Sequence, residues 1–268
     1  MKISVISLFC IVAAIGYATA KDTSEKNTEN TGHRFALSAY IGQKYGLGAS
    51  AFFDDYATYF GGRNLSFPLV SAFGSAAKME LLPNMRFGIG GEHFSVNFTD
   101  NYLQSVFLNP NDVAPYASRE ISQQYSLTVS SVLLTAEYIP VVSPYRTYAG
   151  IGAGAAFGTA KWLETAHSTD VHDKRVGGQY LNDNLLAPAA ALYAGVELAF
   201  DRTKHNGDLI LLAIEVRYVA VGFSRPIFEK AAEQFAEPPP YWNEPMPIGA
   251  SGLTLQIGLV FQFVPRRK

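Results

Sequence analysis

Thiol chemistry is almost absent from this chain: Cys10 is the one cysteine in 268 residues. It lies in the apolar opening stretch, and residues just before it (Leu8, Phe9) are not the small ones a lipidated cysteine requires. Beyond that stretch there is no disulfide, thiolate metal site or cysteine nucleophile to expect. Charge is scarce too, at 16% of residues, and the formal net charge of -2 lacks the basic excess of a nucleic-acid binder. No later apolar run approaches the ~20 residues of a membrane-spanning helix. Phosphate loops, dinucleotide fingerprints and zinc-finger spacings are missing as well. Yet 48% of residues are hydrophobic and 13% aromatic. That content must sit in short pieces, as it does when only alternate residues of a strand face lipid.

The opening residues predict export. Met1-Lys2 is a short positive start, residues 3–17 carry no charge, and Ala18-Thr19-Ala20 is a small-x-small end followed by Lys21. This is the pattern of a cleavable secretory signal over residues 1–20, too short to be a transmembrane anchor. Residues 21–32 (KDTSEKNTENTG) are polar and read as a flexible leader.

From His33 the texture becomes period-2 alternation, the signature of strands with one apolar face. Eight such segments follow. The first puts Phe35, Leu37, Ala39 and Ile41 opposite Ala36, Ser38 and Tyr40; the second sets Phe73, Ser75, Ala77, Met79 and Leu81 against Gly74, Ala76, Lys78 and Glu80. The third spans about 85–98, the fourth 123–138, and the fifth, rich in glycine, 146–162. The sixth carries Leu192 to Phe200, the seventh Ile210 to Tyr218 and the eighth Leu253 to Phe263. Apolar parity slips near Gly90-Gly91 and near Ser130-Ser131, as it would across a β-bulge. Residues 47–53 offer a possible extra strand pair, which makes ten strands the minority alternative.

Connections alternate in length, short after the second, fourth and sixth segments and long after the others. Such alternation is the layout of a single-domain, all-β, eight-stranded antiparallel up-and-down transmembrane barrel over residues 33–263, with both ends on one side. A soluble sandwich with Greek-key crossovers mixes its loop lengths. Tyr138, Tyr145, Tyr148, Phe200 and Phe263 near strand ends suit interfacial aromatic girdles.

The end of the chain carries a specific motif. In residues 256–263 (QIGLVFQF), Gln256, Gly258, Phe261 and Phe263 resemble the C-terminal assembly signal of outer-membrane barrels. The family ends on the aromatic, whereas a short basic tail, residues 264–268, continues here. More broadly, residues 33–263 resemble the eight-stranded barrels of the OmpA and OmpX type. The resemblance implies a porin-like cell-envelope protein in the outer membrane of a Gram-negative-type bacterium. Its expected partners are outer-membrane lipids, lipopolysaccharide and the barrel assembly machinery. It implies no single biochemical role.

Several groups invite a chemical reading. Lys78, Glu80, Glu137, Glu197, Glu215 and Arg217 fall on the inward parity, and an eight-stranded lumen is just wide enough for side chains to fill it. A charge-paired plug is therefore expected, with a narrow pore for small solutes as the alternative. His93 and Ser95 share a face, as a base and a nucleophile would. The pair is similar to the His-x-Ser of lipid A deacylase barrels, although Val96 stands where that family has asparagine, and Glu92 points the other way. An ordinary strand top explains the pair better, and no catalytic role is assigned. His167, Asp170, His172 and Asp173 place imidazoles and carboxylates in one loop, but a polar surface loop has the same composition, so no metal or other cofactor is expected. The last long connection, 223–249, holds a possible helical turn within 228–236 and a Pro-Pro-Pro-Tyr-Trp run, suited to binding a surface partner or covering the barrel mouth. A soluble binder of apolar ligands is disfavoured by the end motif.

Overall fold

The computed structural model describes residues 34–46, 54, 57–58, 69–82, 84–107, 113–140, 145–168, 177–201, 209–226, 228–233, 238 and 240–263. The expected signal, leader and tail, and the segment 47–53, lie outside the described residues.

Eight strands close on themselves: β1 (Phe35–Gly46), β2 (Val70–Leu82), β3 (Met85–Val106), β4 (Ala117–Tyr138), β5 (Tyr145–Ser168), β6 (Gly177–Asp201), β7 (Leu209–Val221) and β10 (Gly252–Phe263). Each pairs antiparallel with its sequence neighbour in the ring, and β10 meets β1 from Phe35↔Phe263 to Gly46↔Gly252. Two short strands, β8 (Ser224–Arg225) and β9 (Met246–Pro247), pair with each other within the last connection. Within the ring, closure leaves no sheet edge, which strands need where no water can satisfy the backbone. At the first short turn Asn84 adopts φ 62°, a left-handed conformation asparagine tolerates. Its carbonyl accepts the N–H of Ile139 at 2.8 Å, tying that turn to the start of the next.

Three of the sequence expectations need correction. The parity slips are not β-bulges. The β3–β4 register is the same on both sides, with Gly90↔Leu133 and His93↔Ser130. Even-numbered β3 residues face inward throughout, from Arg86 to Phe94 and Val96. What changes is the environment. Below this level the outward residues are apolar (Phe87, Ile89, Val132, Leu134) and the inward ones charged (Arg86, Glu92, Glu137). Above it the outward residues are polar (Ser95, Asn97, Thr128, Ser126) and the inward ones apolar (Phe94, Val96, Leu127, Val129). The strands run from a lipid-facing barrel into a water-facing sheet without changing register.

The second correction is length. β3 to β6 run 22 to 25 residues, against 12 or 13 for the other four. At about 3.3 Å per residue the long strands reach ~80 Å, more than twice the length of the about 9–11 residues a tilted strand needs to cross a bilayer. The connections expected to be long after the third and fifth segments are therefore largely strand. β2 accompanies β3 only to Ala72↔Phe94, and β7 accompanies β6 only from Ala189↔Val221. Beyond these rungs β3, β4, β5 and β6 continue as a four-stranded sheet. Pro188 marks the divide: its carbonyl accepts Gly222 N–H at 3.4 Å, so its missing N–H faces the side where β7 ends. A bulge opposite Trp162 and Leu163 turns both Tyr180 and Leu181 inward.

Residues from the last connection cover the inner face of this projecting sheet. Phe228, Ala231, Trp242 and Ile248 join Trp162, Tyr180 and Leu185 in one buried cluster. The expected helical turn is present at Glu229–Ala232. Phe228 bridges the layers, with ring centroids 5.4 Å from Trp162 and 5.2 Å from Trp242. Tyr138 and Tyr145 point outward at the short-turn end, 53% and 66% exposed. Tyr148, expected beside them in the girdle, is 1% exposed and belongs to the lumen. It follows Arg146 on the inward parity of β5. The side chain of Phe200 lies outside the described residues.

Candidate functional site

The lumen is filled by polar side chains in three levels. Nearest the short turns, the Arg146 guanidinium donates to Gln262 Oε1 at 2.6 Å. Beside it runs a chain of four groups from four strands. The Lys78 ammonium on β2 pairs with Glu137 on β4. Arg86 on β3 bridges Glu137 at 2.9 Å and Glu197 on β6 at 2.8 Å. All four are buried.

At the middle level Glu215 accepts from Arg217 Nε at 2.7 Å, Gln256 Nε2 at 2.6 Å and the Tyr148 hydroxyl at 2.8 Å. Tyr148 and Tyr193 lie among the cations, with Arg217 4.6 Å from the Tyr193 ring centre and Arg86 5.4 Å from that of Tyr148. These rings fit because their cross-strand partners are glycines. Tyr193 pairs with Gly150 and Tyr148 with Gly195, and an added Cβ at either glycine would come within 2.5 Å of the facing tyrosine.

At the upper level Lys44 pairs with Glu92 at 2.6 Å, and Thr254 donates to the other oxygen of Glu92 at 2.9 Å. Lys44 also lies 4.8 Å from the Phe94 ring, where the apolar core of the projecting sheet begins. Within that core Gln123 donates to Glu164, which also accepts from the Tyr180 hydroxyl at 2.9 Å.

Of the inward charges expected from sequence, Lys78, Glu137, Glu197, Glu215 and Arg217 are buried in the lumen. Glu80 is half-buried near the short-turn rim. Sequence reading missed Lys44, Arg86, Arg146 and Glu164, and it turned Glu92 away from His93 and Ser95 without counting it among the inward charges; all five are buried. Lys44 continues the Ala36, Ser38, Tyr40 parity by two more steps, so extending that alternation would have found it. Ion pairs of this kind offset the desolvation of each charge only while every partner stays in place.

His93 and Ser95 both face outward, but each is held by β4. His93 Nδ1 shares a 2.8 Å hydrogen bond with Ser130 Oγ, and Ser95 Oγ shares a 3.0 Å one with Thr128 Oγ1. Glu92 is on the other side of the sheet, engaged with Lys44. The three are not assembled as nucleophile, base and orienter. His167 is exposed at the end of β5; Asp170, His172 and Asp173 lie outside the described residues. Among the described residues no group of three or more metal-ligating side chains converges. Of the end motif, Gln256 and Gly258 face the lumen and Phe261 and Phe263 point outward, all on β10, the strand that closes the ring.

A closed ring with an apolar outer band and an ion-paired lumen defines an integral membrane β-barrel. No family model matches the chain, and no curated protein matches it. Among solved structures it is similar to the N-terminal β-barrel domain of Pseudomonas aeruginosa OprF, at 8% identity over 86% of this chain and 97% of that one, with a TM-score of 0.37. It is also similar to Neisserial surface protein A, at 12% identity over 88% of this chain and 100% of that one, with a TM-score of 0.36. A major outer membrane protein from Thermus thermophilus is similar at 12% identity over 86% and 99% of the two chains, with a TM-score of 0.33. These scores are low, and the fold is defined by the hydrogen-bonded ring itself.

Proposed function

We propose that the protein is a non-enzymatic barrel of the outer membrane whose lumen is plugged by paired charges. It supports the envelope and presents a rigid four-stranded projection with its connecting loops at the cell surface. The observation that carries this reading is the chain Lys78–Glu137–Arg86–Glu197, which links β2, β4, β3 and β6 across the lumen. Above it, the Lys44–Glu92 pair and the apolar core that includes Phe228, Trp242 and Ile248 add two further layers. An open solute path would need these partners apart, which strands charges in a confined lumen. The lumen geometry favours the plug over the narrow pore, and the outward, separately bonded His93 and Ser95 favour a non-enzyme over a lipid A hydrolase. A surface partner, where there is one, meets the 223–249 connection through residues other than Phe228 and Trp242, whose rings are buried.

Two measurements test this. In planar bilayers the purified barrel is expected to be electrically silent, whereas steady unitary conductance contradicts the plug and supports the pore. After cell fractionation, the protein is expected in the outer-membrane fraction and to migrate differently on gels before and after boiling. Recovery from the soluble periplasm with one mobility contradicts the membrane location.

A further inference from the structure

On the outer wall, where the apolar band meets the polar projection, the surface is indented. Cross-strand partners Ser75 on β2 and Gly91 on β3 present almost no side chain outward at their rung. The β3–β4 ladder also opens here. The Gly91 and Glu92 rungs are unpaired with β4, and the Ser131 hydroxyl takes the Glu92 N–H at 3.1 Å instead. The result is a groove of about 560 Å³, within the roughly 300–1,000 Å³ of small-ligand sites. Leu37, Phe73, Ile89, Val132 and Phe157 wall it, each more than two-fifths exposed. At its outer end stands the hydrogen-bonded pair His93–Ser130.

We infer that this groove holds one acyl chain of a glycolipid, with His93 and Ser130 at the carbonyl that joins the chain to its sugar. This rests on the outer-membrane reading above. The occupant follows from three observations. The walls belong to the lipid-facing band, so the groove is continuous with a surface that only lipid covers. The polar pair stands at the level where the outward face changes from apolar to polar, which is the depth of an ester or amide linkage. Beyond it the outward rungs of β3 and β4 are neutral and hydrogen-bonding: Ser95↔Thr128, Asn97↔Ser126 and Thr99↔Gln124. Such a ladder matches sugar hydroxyls. A phosphate headgroup would call for a cluster of cations, and on these rungs the next strand adds one alone, Lys161 beside Ser126.

Native mass spectrometry of the purified, delipidated barrel in detergent tests this, with an acylated glucosamine-disaccharide lipid and phosphatidylethanolamine added separately. One glycolipid is expected to stay bound under activation that strips phosphatidylethanolamine. The double variant His93→Ala/Ser130→Ala is expected to reduce retention by about fivefold, the scale of one net hydrogen bond, and Ser75→Phe, which fills the groove, to reduce it at least as much. Leu255→Phe, on the lipid face of β10, is expected to leave it unchanged. Boiling-dependent mobility on gels establishes that each variant is folded. Equal retention of both lipids overturns the inference, as does full retention by both groove variants. Because binding is read on purified protein, failure of the location alone would appear in fractionation and not here.

Discussion

Tyr148 lies over Gly195, its cross-strand partner on β6, so closely that a Cβ on the glycine would come within 2.5 Å of the tyrosine hydroxyl. That hydroxyl donates to Glu215 at 2.8 Å, so the glycine's missing side chain is what lets the ring reach its carboxylate. Gly195→Val is expected to push Tyr148 off Glu215 and overfill the lumen, costing about 1–3 kcal/mol. Urea unfolding of the reconstituted barrel checks this, and an unchanged midpoint would show that the ring has somewhere else to go.

Removing one member of the buried charge chain should cost more than neutralising it in place. Glu137→Ala leaves Lys78 and Arg86 short of a carboxylate and is expected to cost about 3–5 kcal/mol. Glu137→Gln keeps the shape and an acceptor oxygen, and a smaller loss is expected. Paired unfolding titrations decide it. Equal losses would mean that the charge, rather than the hydrogen-bond geometry, sets the strength of the plug.

Most of the barrel was legible as alternation. Phe35 to Ile41 and Leu253 to Phe263 stay in one environment, so one apolar face per strand is visible in the residues themselves. Tyr148 was misplaced because an aromatic near a strand end fits a girdle as well as a lumen, and only the cross-strand glycine distinguishes them. The strands β3 to β6 were cut short because their alternation inverts where they leave the lipid: Ile89 faces out as an apolar residue and Phe94 faces in as one. A reader of periodicity sees that inversion as a bulge. The registers Gly90↔Leu133 and His93↔Ser130 show a continuous ladder in two solvents. Arg86 was overlooked for a related reason, since it is an isolated charge whose partners are remote in sequence, and Glu92 was read only against His93 and Ser95 because its partner Lys44 is equally remote.

The cover over the projecting sheet should be separable from the barrel below it. Trp242 is fully buried against Phe228, and Trp242→Ala is expected to cost about 3–5 kcal/mol locally. Trypsin should then cut faster at Lys230, which is exposed and followed by Ala231, while the boiling-dependent gel shift persists. Loss of that shift would show instead that barrel and cover fold as one unit.

The change of environment along a single strand is the centre of this account, and β4 tests it best. Because Cys10 is the only cysteine in the chain, cysteines introduced at Ser126 and Leu134 can be told from it by a Cys10→Ala background. With the protein in lipid vesicles, a membrane-impermeant maleimide is expected to label Ser126→Cys readily and to spare Leu134→Cys until detergent is added. Equal labelling of the two positions in intact vesicles would contradict it, because both would then face water and no lipid boundary would cross the strand between them.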